Sequence, residues 1–177
     1  MSVFEPVNDG VEVQGSAILA IVNGVPGPFA QRAEQILADN GIDDLREEGW
    51  YPQDAYLDAY EEIAQRVGSK TLRQIGRAIP ENAAWPPGVE TPLAALKSID
   101  DAYHMNHRGG EVGYYEVTRL DDTSARVECK NPYPCEFDQG LIEGTARAFT
   151  DTLTTLEKVE GTCRDEGDDV CIYEIEW

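Results

Sequence analysis

The sequence predicts an α+β protein, with a helical N-terminal half followed by antiparallel β-hairpins that flank one long helix. Three observations carry this. Apolar residues recur at helical spacing up to about residue 110. Alternation of period two then takes over at Ala125, Val127 and Cys129. The last stretch, Glu160 to Trp177, alternates again on either side of Asp165-Glu166-Gly167-Asp168.

In chain order, residues 1 to about 12 read as a loose lead-in. Ser16 to Val22 is apolar and β-branched enough for a strand, although its period does not decide. Pro26-Gly27-Pro28 breaks the chain. Phe29, Ala33, Ile36 and Leu37 form one helical stripe that Asn40-Gly41 stops. Tyr56, Tyr60, Ile63, Ala64 and Val67 form a second stripe, ending at Gly68. Ser69 caps a helix carrying Leu72, Ile75 and Ile79, which Pro80 is expected to end. Pro80 to Pro92 is an ordered loop around the core, too apolar for a flexible linker. Thr91-Pro92 opens the next helix, whose stripe is Leu93, Leu96, Ile99 and Tyr103, and Gly109-Gly110 closes it. Two strands follow, joined near Asp121-Asp122, then the rigid loop Asn131-Pro132-Tyr133-Pro134-Cys135. A long helix is expected from Asp138 to about Lys158, with Ile142, Ala146, Phe149, Leu153 and Leu156 inward. The terminal hairpin places Cys171, Tyr173, Ile175 and Trp177 on one face. No repeat or low-complexity tract divides the chain, so 1–177 is expected to be one domain.

Charge narrows the function. The 34 Asp and Glu outnumber the 14 Lys and Arg, for a net charge of −20. Nucleic acids and anionic membranes need a basic face, so neither is an expected partner. The longest purely apolar run, Ala17 to Val22, is too short to span a bilayer. The start, Met-Ser-Val-Phe-Glu-Pro, lacks a basic region followed by an apolar stretch, which gives an expectation of a cytoplasmic protein. Acidic residues are spread along the chain and Lys is scarce, a pattern suited to the salt-rich cytoplasm of a halophile.

Four cysteines fall in the second half: Cys129, Cys135, Cys163 and Cys171. Without a secretion signal they read as metal ligands before disulfides. Cys135 sits in a Pro-stiffened loop at a helix entrance, and Cys163 and Cys171 flank a hairpin turn. Glu160 could supply an oxygen to a tetrahedral zinc site, and Cys129 is the alternative fourth ligand. The competing reading is four buried small hydrophobes. An apolar pocket between the helical half and the sheet is expected to be lined by Trp50, Tyr56, Tyr60, Trp85, Leu96 and Tyr103, each of which could equally be core. No hydrolase, protease, P-loop or Rossmann motif occurs, so no catalytic residue is assigned.

The stretch Cys129-Lys-Asn-Pro-Tyr-Pro-Cys135-Glu-Phe-Asp-Gln-Gly-Leu-Ile-Glu-Gly144 resembles a superfamily that joins three groups: 4-vinyl-reductase-like small-molecule-binding domains, heme nitric-oxide/oxygen-binding domains, and vesicle-tethering subunits of Golgi transport. The tail, with Glu160-Gly-Thr-Cys163 and then Gly167-Asp168-Asp-Val-Cys171, resembles the 4-vinyl-reductase branch. The resemblance spans roughly residues 90 to 177. It implies a stand-alone small-molecule sensor with zinc on Cys135, Glu160, Cys163 and Cys171, a small hydrophobic or aromatic ligand, and homodimerisation. The heme branch carries a proximal His on the mid-chain helix and a Tyr-x-Ser-x-Arg motif for the heme propionates. Here the proximal position falls on Tyr103, with His104 one residue late, and the motif region reads Glu128-Cys129-Lys130-Asn131-Pro132. One residue on a helix turns the side chain by about 100°. Zinc is therefore the expected cofactor and heme is not. A heme- or gas-binding domain using His104 is the alternative, and a zinc-dependent enzyme follows only if one coordination position is open.

Overall fold

The computed structural model describes residues 3–25, 27–82 and 85–177. The start of the expected lead-in, Pro26 of the expected chain break, and residues 83–84 of the expected Pro-rich loop lie outside the described residues. The order is β1 (Glu12–Gln14), α1 (Gly15–Gly24), α2 (Gly27–Asp39), β2 (Trp50–Pro52), α3 (Gln53–Arg66), α4 (Ser69–Asn82), α5 (Pro92–Lys97), α6 (Ile99–Met105), β3 (His107–Arg108), β4 (Tyr114–Arg119), β5 (Ser124–Lys130), α7 (Cys135–Arg147), β6 (Thr155–Lys158) and β7 (Cys171–Glu176). This is the expected α+β architecture. Its main sheet is antiparallel in the order β4-β5-β7-β6, and a small antiparallel sheet, β2-β1-β3, ties the N-terminus to α3 and α6. None of the described helices is long and apolar enough to cross a membrane.

Four local expectations need correction. The run Ser16 to Val22 is helical, within α1. A short run that is apolar on every side fits a buried helix as well as a strand, and here Ile18, Ala20 and Ile21 are all buried. Pro80 does not end α4 but lies in its last turns. There a proline costs a single backbone hydrogen bond. The helix opened by Thr91, whose hydroxyl accepts from the Ala94 N–H at 3.2 Å, breaks at Ser98 into α5 and α6. The Ser98 hydroxyl donates to the Ala95 carbonyl at 2.7 Å and competes with the helix ladder. The last helix is shorter than expected, because the Thr150 hydroxyl accepts from the Thr152 N–H at 3.2 Å and draws the chain into a turn. Leu153 is consequently 80% exposed, and Leu156 lies opposite Ile175 in the β6–β7 pair.

The helical half is held to the sheet by the crossing of α4 on α7. Gly76 and Gly140 make it possible. A Cβ on Gly76 would lie 2.2 Å from the Phe137 carbonyl oxygen, and one on Gly140 would lie 2.0 Å from that of Arg73. Arg77 closes the contact, donating from Nε to Glu143 Oε2 at 2.8 Å, with Arg73 on the same carboxylate. At Gly140, helix propensity favours alanine by about 1 kcal/mol, but the overlap is with backbone that cannot yield locally. Gly140→Ala should therefore lower stability by about 1–3 kcal/mol, measured by urea denaturation. A neutral or stabilising result would contradict this packing.

Candidate functional site

A cavity of about 570 Å³ opens between α1, α6, α7 and the end of α4. Its floor is aromatic. Tyr56, Tyr103, Tyr115 and Tyr133 are all buried and all line it, and Trp85 and Phe137 complete the apolar wall. The rings meet edge-on, with Tyr103 and Tyr115 centroids 5.1 Å apart and Tyr56 and Tyr133 centroids 5.7 Å apart. At the α7 side, the buried Thr145 hydroxyl lines the cavity and has no hydrogen-bond partner. A buried polar atom without a partner is costly, and at a cavity wall it marks a position that a ligand can satisfy.

His107 is the one histidine on this cavity among the described lining residues. It lies in β3, where the small sheet draws the chain back beneath Tyr103. A carbonyl oxygen can only accept, so the 2.6 Å contact with the Tyr103 carbonyl fixes the proton on Nδ1. Nε2 is then an acceptor, and the Tyr133 hydroxyl donates to it at 2.6 Å. Gln53 Nε2 in turn donates to the Tyr133 oxygen at 3.3 Å. Burial lowers the His107 pKa to about 4, so the ring is neutral and presents Nε2 as a lone-pair donor.

The cysteines form a separate centre at the far end of α7. Cys135 and Cys171 sulfurs are 3.2 Å apart, and Cys163 lies 3.8 Å from each. All three are buried and lie close enough to share one soft metal ion. Of the three, Cys171 is the thiol whose pKa is held low. Donation from the Cys135 S–H is the largest influence, and the Arg164 backbone N–H and Nε, each 3.3 Å away, add to it and bring Cys171 well below the usual thiol range. The same hydrogen bond pushes the Cys135 thiol up. Arg164 is itself buried, paired with Asp138 and donating to Asn131 Oδ1 at 2.7 Å.

The sequence candidates therefore separate. Tyr56, Trp85 and Tyr103 line the cavity. Tyr60 and Leu96 are wholly buried and do not line it; the Tyr60 hydroxyl lies 3.0 Å from that of Tyr56. Trp50 sits on β2 beneath the Arg108 guanidinium, 4.3 Å from its ring centre. Cys135, Cys163 and Cys171 converge, whereas Glu160 is exposed and outside the group and Cys129 is buried in β5 opposite Cys171. His104 is exposed, with Nδ1 2.9 Å from the Asp100 carbonyl, and does not line the cavity. His107 is the residue that sequence reasoning missed. It follows Tyr103 by four residues, the spacing that continues the inward stripe Leu96, Ile99 and Tyr103, and that spacing was the signal that could have found it.

No protein-family model and no curated protein matches the chain. Its fold is shared with solved heme proteins. An H-NOX protein from S. oneidensis, in the Fe(II)NO ligation state, superposes with a TM-score of 0.71 at 16% identity, covering 92% of this chain and 98% of that one. A mutant of T. tengcongensis H-NOX gives 0.68 at 16% identity, covering 92% and 96%. A third structure, described by its heme redox potential and porphyrin distortion, gives 0.69 at 15%, covering 93% and 99%. Identity this low establishes the fold. The expectation of zinc as the cofactor, with heme set aside, is corrected by this likeness, because the proteins that share the fold are heme proteins. The cavity is apolar and supplies one neutral histidine and an unpartnered hydroxyl.

The His107 environment makes stability depend on pH. An unfolded chain protonates this ring at about 6.5 and the folded one only near 4. The support it gives is therefore complete above pH 6.5 and withdrawn as pH falls from 6.5 toward 4, at up to ~1.4 kcal/mol per pH unit. His107→Gln should flatten that part of the acid limb in urea titrations at stepped pH. An identical limb in the variant would contradict the buried neutral assignment.

Proposed function

We propose that this chain is a single-domain sensor that holds a heme-type group in the aromatic cavity, with His107 as the side chain that reaches the metal. The observation that carries the reading is a neutral histidine on the wall of an apolar cavity of about 570 Å³. The fold shared with H-NOX heme proteins supports it, one of which is seen with nitric oxide on its iron. When bound, such a group supplies a metal position for a small gas molecule.

This chain's own residues prepare the site. The Tyr103 carbonyl accepts the Nδ1 proton, which orients the ring and raises the basicity of Nε2. The tyrosines and Phe137 exclude water and present flat apolar faces. Tyr133 must release Nε2 before the histidine can act as a ligand, so its hydroxyl sets a threshold. Cys135, Cys163 and Cys171 make a second candidate centre, for a soft metal ion, that would pin the β6–β7 hairpin to the entrance of α7. The reading is of a binding domain and not an enzyme.

A narrower alternative is an aromatic ligand without metal. Tyr56, Trp85, Tyr103 and Tyr115 favour it, because rings set edge-on accept a further flat ring. Reconstitution with iron protoporphyrin separates the two. A sharp Soret band that His107→Ala weakens or shifts supports the heme-type reading; a spectrum identical in the two proteins, or none, removes it. Tyr133→Phe should tighten metalloporphyrin binding by about fivefold, since the lost hydrogen bond is worth roughly 1 kcal/mol. Unchanged or weaker affinity in Tyr133→Phe would show that the hydroxyl sets no threshold.

A further inference from the structure

We propose that the cavity selects a flat ring system whose mouth-facing edge carries no carboxylate, and so discriminates against a dianionic porphyrin in favour of a neutral one. The inference rests on the heme-type reading and names which member of that class the site takes.

The mouth is defined by the lining residues that remain exposed. Glu47 and Asp101 are both exposed and both line the opening, with Asn23 and Met105 beside them. No Lys or Arg lines the cavity among the described residues. The nearby guanidinium groups are committed elsewhere. Arg46 pairs with Asp44, Arg108 Nε donates to Glu12 Oε2 at 2.7 Å, and Arg77 holds Glu143. The Ser16 hydroxyl is also occupied, lying 3.3 Å from both Gln14 Oε1 and Asn106 Oδ1. A carboxylate entering here meets like charge at short range and no positive partner. That is an arrangement that rejects by repulsion and not by shape. The net charge of −20 adds a long-range field of the same sign, but added salt screens that field while leaving close pairs largely intact.

The deeper end of the cavity carries no such bias. His107, Tyr133 and the unpartnered Thr145 hydroxyl are neutral hydrogen-bonding groups. A ring whose polar atoms lie at its centre and inner edge satisfies them, and an esterified or unsubstituted outer edge suits the mouth.

The test compares iron protoporphyrin IX with its dimethyl ester on the full chain. Binding is followed by tryptophan quenching and by the Soret band, at moderate and at high salt. The ester should bind about tenfold tighter, about 1.4 kcal/mol, at both salt levels. An ester also gains from its own apolar character, so the decisive comparison is the Glu47→Gln/Asp101→Asn variant. Its preference for the ester should shrink by about fivefold, while Glu157→Gln, on the exposed face of β6, keeps the wild-type ratio. Circular dichroism shows that each variant is folded. If the acid binds as tightly as the ester, or the double variant keeps the wild-type ratio, the inference is overturned and the heme-type reading stands. If neither porphyrin binds, the heme-type reading fails and this inference fails with it.

Discussion

The ion pair between Arg164 and Asp138 is the contact on which the C-terminal half depends. Both side chains are completely buried. Such a pair gains little over well-packed apolar residues, but losing one member leaves a bare charge in the core at a cost of about 3–5 kcal/mol. Here the pair is tied in on every side. Asp138 Oδ1 accepts from the Tyr115 hydroxyl at 2.6 Å, and Asn131 Nδ2 lies 3.3 Å from both carboxylate oxygens. Arg164 also faces the Cys171 sulfur through two donors. One cation thus stands between a carboxylate and a sulfur. Burial raises the Asp138 carboxyl to about 6 while Arg164 and its other donors pull against that rise.

This network occupies the space between the two candidate centres. Tyr115 is at once a cavity wall and the donor to Asp138; Arg164 is at once the partner of Asp138 and the donor to Cys171. The aromatic floor is therefore not free to slide. Tyr103 is fixed by its hydroxyl on the Val112 carbonyl at 2.6 Å, and Tyr133 by His107 and by its own backbone N–H on Asn131 Oδ1 at 2.9 Å. A ligand meets an aromatic floor whose hydrogen bonds are already spent. Among the described cavity residues, the Thr145 hydroxyl is the buried polar atom left without a partner, which makes it informative about what the cavity holds.

Much of this was legible in the sequence, and the boundary follows physical range. Strongly periodic segments were readable because their burial is set locally: Ala33, Ile36 and Leu37 of α2, Tyr56, Tyr60 and Ile63 of α3, the Thr91-Pro92 helix start and the alternating strand β5 lie where their patterns put them, whereas Phe29 at the start of α2 is exposed. Segments decided by distant contacts were not. The apolar run of α1 fits two periodicities, and only its packing on α4, where a Cβ on Gly24 would lie 2.7 Å from the Ile75 Cα, selects the helix. The end of α7 depended on a threonine turn whose competing hydrogen bond is invisible to hydropathy. In the metal candidates, the three sulfurs were brought together by a helix entrance and a hairpin, both readable. Glu160 was placed by adjacency to Cys163 in sequence, and adjacency does not fix the direction of a side chain in a turn.

The cavity shows why fold and site have to be reasoned about separately. Helices crossing at fixed angles leave a space whose size follows from the architecture, and an architecture survives extensive substitution when volume and patterning are kept. The charge at the opening of that space is set by a few exposed side chains that contribute nothing to packing. Glu47 and Asp101 could be replaced without disturbing a core contact, whereas Gly140 could not. Resemblance at 16% identity therefore carries the fold and not the selectivity of a pocket. The residues that decide what enters lie where the fold exerts least constraint, and their reading has to come from charge and hydrogen-bond balance at the mouth.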